Sequence, residues 1–227
     1  MQTYQKIAAT IGRLACASAM LMATASQAQV LEYHVDVNTS ALIGNANAPF
    51  YLDFQLNYGS GPSGNSASIG NFTGVTPAGS PNLTGTAGGN LSTSVMLSDN
   101  SVNPFNEFYQ QFTPGAHAGF DVFLSHNATL LTPDSLQFAI LDNTTGQIPT
   151  AQPSVGLSLA EFDINANGTI TATGFGGVND PVLGNYSGIT VTVTPVPEPS
   201  VTLLGLCAGG ALIMKLCRAR KPGAKAA

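Results

Sequence analysis

Leu31-Glu-Tyr-His-Val-Asp-Val-Asn38 alternates apolar and polar side chains without a break. Successive side chains of a strand point to opposite faces, so Leu31, Tyr33, Val35 and Val37 fall on one side and Glu32, His34, Asp36 and Asn38 on the other. A helix would scatter the same residues round its circumference. The stretch is therefore predicted to be a strand with one dry face and one wet face. Leu52-Asp-Phe-Gln-Leu-Asn-Tyr58 repeats the pattern, and shorter runs follow at 91–97, 108–112, 120–124, 136–140, 157–164 and 189–193. Clusters rich in turn-forming residues separate them: Gly59-Ser-Gly-Pro-Ser-Gly64, Thr113-Pro-Gly115, Asp142-Asn-Thr-Thr-Gly146 and 174–184. Residues 59–90 are rich in Gly, Ser, Thr and Asn, and read as long loops around one or two weak strands near Ile69–Phe72. The expected fold is all-β, a two-sheet β-sandwich of jelly-roll kind over residues 29–194.

Charge divides the chain more sharply than hydrophobicity does. No Lys or Arg occurs between Arg13 and Lys215, while all twelve acidic residues lie within 29–200. A domain without a basic side chain cannot neutralise phosphates, which excludes nucleic acid as a partner. Its solubility must rest on Asp and Glu together with many Asn, Ser and Thr. The three cysteines, Cys16, Cys207 and Cys217, all fall outside that domain. It is expected to hold no disulfide and to be stable through its core alone.

The two ends read as export and retention segments. Residues 1–28 have a basic start (Lys6, Arg13), an apolar run from Leu14 to Ala23 and a small-residue site, Ser26-Gln-Ala28, before Gln29. That is the pattern of a secretory signal helix cleaved between Ala28 and Gln29. At the other end, Pro195-Val-Pro-Glu-Pro-Ser200 alternates three ring-locked residues with two pushed into extended conformations. This spacer is predicted to be a short polyproline-II rod. Residues 201–217 are apolar apart from Lys215 near their end, and five of the seven basic residues follow the middle of this segment. Seventeen residues reach the lower limit for a transmembrane helix. Positive charge on the far side would place the 218–227 tail in the cytoplasm and the domain outside.

Pro197, Glu198 and Pro199, the short Leu/Gly/Ala segment after them, and Arg218, Arg220 and Lys221 beyond it follow one another in order at the C-terminal end. In that order they resemble the PEP-CTERM sorting signal of Gram-negative bacteria. The resemblance covers about thirty residues and implies recognition by an exosortase, a membrane transpeptidase acting near the Pro-Glu-Pro. It further implies anchoring in the inner membrane through 201–217 before processing, then residence at the cell surface or in the extracellular matrix. Lys215 stands earlier than the family's basic cluster, and Cys207 and Cys217 are no part of the pattern.

Candidate chemistry inside the domain is sparse. Asp163-Ile-Asn165-Ala-Asn167-Gly168 matches the first half of a calcium loop, but Gly174 stands where the closing bidentate acid belongs. Asn-Gly between two alternating runs is also a strong hairpin signal, and it outweighs half a motif. Calcium held by Asp163, Asn165 and Asn167 is the weaker alternative, and no other cofactor is indicated. His34, His117 and His126 have no zinc-ligand spacing. Asp121, Asp134, Asp142 and Glu161 are the carboxylates available for paired acid–base work. The expectation is a non-enzymatic exported surface or matrix protein in contact with exopolysaccharide. The alternative is a secreted carbohydrate-binding or hydrolytic module using a carboxylate cluster or calcium.

Overall fold

The computed structural model describes residues 31–59, 64–99, 102–125, 134–152, 157–165 and 169–196. The expected signal segment, residues 197–200 of the spacer, the 201–217 apolar segment and the basic tail lie outside the described residues. Among the described residues no helix is long and apolar enough to cross a membrane. The described residues up to Pro195 belong to one compact unit; of a second, running from Val196, only Val196 is described.

The described fold is all-β and antiparallel. In chain order the strands are β1 (Leu31–Asn38), β2 (Phe50–Asn57), β3 (Ser66–Pro77), β4 (Asn82–Thr84), β5 (Gly88–Gly89), β6 (Val95–Ser98), β7 (Phe105–Leu124), β8 (Asp134–Leu141), β9 (Ala160–Ile164), β10 (Ile170–Gly174), β11 (Asn179–Asp180), β12 (Gly184–Asn185) and β13 (Thr190–Val196). A 3-10 turn, Ser40–Leu42, follows β1. Eleven strands share one continuous hydrogen-bonded sheet, and β11 with β12 makes a small separate ribbon.

That sheet doubles back on itself because β7 serves both halves. Its first part, Phe105–Phe112, pairs with β2, and β4 lies along Glu107–Tyr109. Its second part, from His117 to Leu124, pairs with β1, and β3 borders it from Gly119 onward. One layer is then β10-β9-β8-β2-β7-β4 and the other β13-β1-β7-β3-β6-β5. The dry faces meet in a phenylalanine cluster. Phe54 and Phe138 stand opposite each other on β2 and β8, with ring centroids 5.4 Å apart. Phe120, from the second half of β7, packs edge-on to Phe54 at 5.2 Å and to Phe138 at 4.9 Å. All three side chains are fully buried. Each such ring contributes about 1.5–3 kcal/mol by burial, with a further ~0.5–1.5 kcal/mol for edge-to-face geometry.

The alternation read in β1 and β2 holds, with Val35, Val37, Leu52 and Phe54 inside. Four expectations change. Thr113-Pro-Gly115 is not a turn between two strands but the bend of the single 20-residue β7. Proline and glycine are tolerated there because pairing with β3 is already irregular, with register shifts between Gly70 and Val75. Gly74, at φ +66°, permits this close crossing: a Cβ on it would lie 2.1 Å from the His117 carbonyl oxygen. Residues 59–90, expected as mostly loop, contain the 12-residue β3, which borders β7 on one side and β6 on the other. The 91–97 run is a strand only from Val95, since Leu91 enters the core from a turn whose N–H donates to Gln110 Oε1 at 2.9 Å. At the other end β13 runs to Val196, two residues into the expected spacer. It pairs with β1 alone, and an edge strand can carry Pro195 without losing a ladder bond.

Candidate functional site

The register of the first layer aligns a row of polar side chains across its outer face. Thr84 stands opposite Glu107, Glu107 opposite Gln55, Gln55 opposite Gln137, Gln137 opposite Glu161 and Glu161 opposite Thr173. Since the domain has no Lys or Arg, amides take the place of cations along the row. Gln55 Nε2 donates to Asp53 Oδ2 at 2.7 Å and to Glu107 Oε1 at 3.2 Å. Gln137 Nε2 and Gln152 Nε2 donate to the two oxygens of Glu161, each at 3.0 Å. These amide–carboxyl contacts hold the row together without a salt bridge.

Asp53 sits next to this row, opposite Tyr109 and two residues from Tyr51; the two tyrosine rings meet edge-on at 5.9 Å. Unlike the other wet-face residues of β2, Asp53 is completely buried, and its Oδ1 has no hydrogen-bond partner. Burial, then the neighbouring charge of Glu107, pushes its carboxyl up to about 7, against smaller opposing effects of Gln55 and Gln147. Burial also raises Glu107. Asp163 is raised by burial and then by Glu161.

The outer face of the second layer carries two histidine–carboxylate pairs. His34 Nδ1 lies 2.6 Å from Asp121 Oδ1, and Asn71 Nδ2 donates to Asp121 Oδ2 at 2.8 Å. Burial would lift Asp121, but His34 and Asn71 together hold it below the usual carboxylate range. His117 Nδ1 lies 3.1 Å from Asp36 Oδ1. Both histidines are about half exposed or more, at 49% and 59%. Exposed cross-strand pairs of this kind contribute about 0.2–1 kcal/mol and bring no third ligand or nucleophile with them.

A third cluster joins the loops at one end of the sandwich. Asp99 follows β6, Asp134 begins β8, and Asn65 precedes β3. Asp99 Oδ1 accepts from the N–H groups of Gly64 at 2.5 Å and Asn65 at 3.0 Å. Asp134 accepts from Gly59 N at 2.7 Å and from Asn65 Nδ2 at 2.5 Å. Both aspartates are almost wholly buried, and Asp99 Oδ2 meets no amide or cationic donor among the described residues. Burial and the adjoining Asp134 carboxyl push Asp99 up to about 6.

The residues singled out in the sequence are therefore dispersed. Glu161 belongs to the amide–carboxylate row, Asp121 to a surface pair and Asp134 to the buried loop cluster. Asp142 caps its own turn by accepting from Thr144 N at 2.8 Å. Asp163 faces Thr171 across the β9–β10 hairpin, so the pairing expected around Asn167-Gly168 is present. Asn165 closes it, donating to Thr169 Oγ1 at 3.3 Å and Thr171 Oγ1 at 3.0 Å. Asn167, His126, Ala28, Gln29, the Pro197-Glu-Pro199 motif and the basic residues lie outside the described residues. Among the described residues no three His, Cys, Asp or Glu side chains converge as a metal cluster. A hollow beside the β7 bend, between Leu42, Pro49, Phe50 and Pro114, has no charged lining residue.

Asp53, Glu107 and Asp99 escaped the sequence reading. Alternation assigns a residue to a face but not to a depth, and no local pattern links Asp99 to Asp134. No protein family matches this chain, and neither a curated protein nor a solved structure does.

Proposed function

We propose that this is a non-enzymatic protein of the cell surface or extracellular matrix, exported through its N-terminal signal and sorted by an exosortase through Pro197, Glu198 and Pro199. Its jelly-roll-type sandwich meets exopolysaccharide with the outer face of the first layer. The observation that carries this reading is the row Glu107–Gln55–Gln137–Glu161, bordered by Tyr51 and Tyr109. Amides and carboxylates in register across several strands suit a hydroxyl-rich polymer, and the partly exposed tyrosines offer apolar faces with a polar edge. The domain's lack of cations fits a neutral polymer, or an anionic one bridged by divalent ions.

A hydrolytic reading has one point in its favour. Gln55 bridges Asp53 and Glu107, which puts the two bonded oxygens within about 6 Å, near the ~5–5.5 Å carboxyl separation of retaining glycosidases. The burial of Asp53 weighs against it, since a carboxylate with no exposed surface cannot meet an anomeric carbon.

Affinity electrophoresis through gels containing the host's exopolysaccharide tests the proposal. The protein is expected to be retarded, and Tyr51→Ala and Gln137→Ala variants with unchanged circular dichroism to run at least about threefold less retarded. Equal mobility with and without polysaccharide would overturn the binding role.

A further inference from the structure

We infer that Asp99 and Asp134 form a binding site for one divalent, oxygen-preferring cation of the calcium class at the loop end of the sandwich. This site is independent of the polysaccharide reading; it shares an end of the sheet with the Asp163 hairpin, Asp134 standing opposite Ile164, but lies on the buried face, whereas Asp163 stands opposite Ser135 on the other.

Two carboxyl groups are buried side by side, Asp99 at 4% exposure and Asp134 at 2%. Their positions are fixed from outside the pair. Gly64 N and Asn65 N hold one oxygen of Asp99, and Gly59 N and Asn65 Nδ2 hold both oxygens of Asp134. Asn65 also ties down the backbone, its carbonyl accepting from Asp99 N at 2.9 Å. What remains is Asp99 Oδ2, fully buried against the Asp134 carboxyl, another acid, and with no amide or cationic donor among the described residues. A buried unpaired polar atom is costly, and a charged one more so.

In most proteins a lysine or arginine would relieve such a pair. Here none exists anywhere between Arg13 and Lys215, and the two described histidines are committed to Asp121 and Asp36 on the outer face. Among the described residues no cationic side chain is free to take that place, and a bound cation would fill it. The outer hydrogen bonds leave the carboxylates oriented but Asp99 Oδ2 uncommitted, which is the arrangement of ligands held by their surroundings for a metal. Two carboxylates complemented by main-chain or water oxygens suit calcium, which accepts flexible oxygen shells, better than magnesium, which demands near-ideal octahedra. The strands and loops bearing Asn65, Asp99 and Asp134 are far apart in sequence, so a cation here would tie together three segments of a domain that has no disulfide.

The test uses full-length protein in mild detergent, stripped with EGTA, with calcium chloride as the probe. Isothermal titration calorimetry is expected to show one saturable calcium site per chain. At 10 mM calcium the Tm should rise by roughly 3–10 °C, as for an extracellular site with Kd near 10⁻⁴–10⁻³ M. Sodium chloride at matched ionic strength should not reproduce the shift, and Asp163→Asn should retain it. Asp99→Asn should lose the shift while melting at or above the stripped wild type, because an amide can donate to Asp134. Asp134→Asn provides a second variant should the first fold poorly. No shift in the wild type, an equal shift with sodium, or full retention of calcium binding in folded Asp99→Asn or Asp134→Asn would each overturn the site. A shift lost only in Asp163→Asn would move it to the hairpin and overturn it equally.

Discussion

Replacing Asp53 by Asn should change how the stability of the β-domain depends on pH. In the folded chain the Asp53 carboxyl titrates at about 7 instead of its ordinary 3.8, because it is fully buried and Glu107 stands beside it. An acid whose folded pKa is raised binds more protons in the native than in the unfolded state between those two values. Stability therefore falls as pH rises from about 4 through 7 and levels off above it. A shift of about three units corresponds to about 4 kcal/mol at pH 8, a large part of the ~5–15 kcal/mol typical of a whole domain. Asp53→Asn keeps an oxygen that can accept from Gln55 Nε2 and removes the charge. Urea unfolding of the full-length protein in detergent, at intervals between pH 4.5 and 8.5, should show the variant gaining on the wild type as pH rises. The difference between the two should approach about 4 kcal/mol at the top of the range. Taking that difference separates Asp53 from Glu107, Asp163 and Asp99, which are also raised and slope the same way. A difference flat across the range would refute the reasoning and mean that Asp53 is ionised in the fold at little cost.

Phe54→Ala removes the ring shared by Phe108, Phe120 and Phe138, and should cost about 3–5 kcal/mol, read as a Tm drop of roughly 6–20 °C. Gly74→Ala places a methyl group on the His117 carbonyl at a positive φ and should destabilise by about 2–5 kcal/mol, seen as loss of soluble folded protein or a strongly lowered urea midpoint. His34→Ala, by contrast, breaks only an exposed pair with Asp121: under about 1 kcal/mol in dilute buffer, shrinking in 1 M salt when the same urea midpoints are compared.

The sequence made the strands visible wherever burial followed period two. Leu31–Asn38 could be read because one face packs in the core while the other carries the more exposed polar residues; in Leu136–Ile140 the alternation shows at Leu136, Gln137 and Phe138, and Ala139 is buried on the second face. It misread β7, since Pro114-Gly115 carries the signal of a turn and only the irregular partner β3 lets a strand continue through it. β3 itself was underestimated, because Ser, Gly, Asn and Thr carry little hydrophobic pattern and its length comes from pairing with β7 and β6. The polar rows are products of register: Gln55, Glu107, Gln137 and Glu161 meet only after four strands have aligned. Likewise, Asp99 and Asp134 are brought together by loop closure, which leaves no trace in local spacing. The export and sorting segments proposed for the two ends rest on the opposite kind of evidence, local patterns of charge, proline and apolar length that need no tertiary partner.

The division of the chain into a cation-free β-domain and flanking export and sorting segments is tested most directly by intact-mass spectrometry of the protein recovered from outside the native host. The account predicts a form beginning at or near Gln29 and ending near Pro199. Recovery of the protein only from the cytosol, with residues 1–28 and 201–227 still attached, would contradict it.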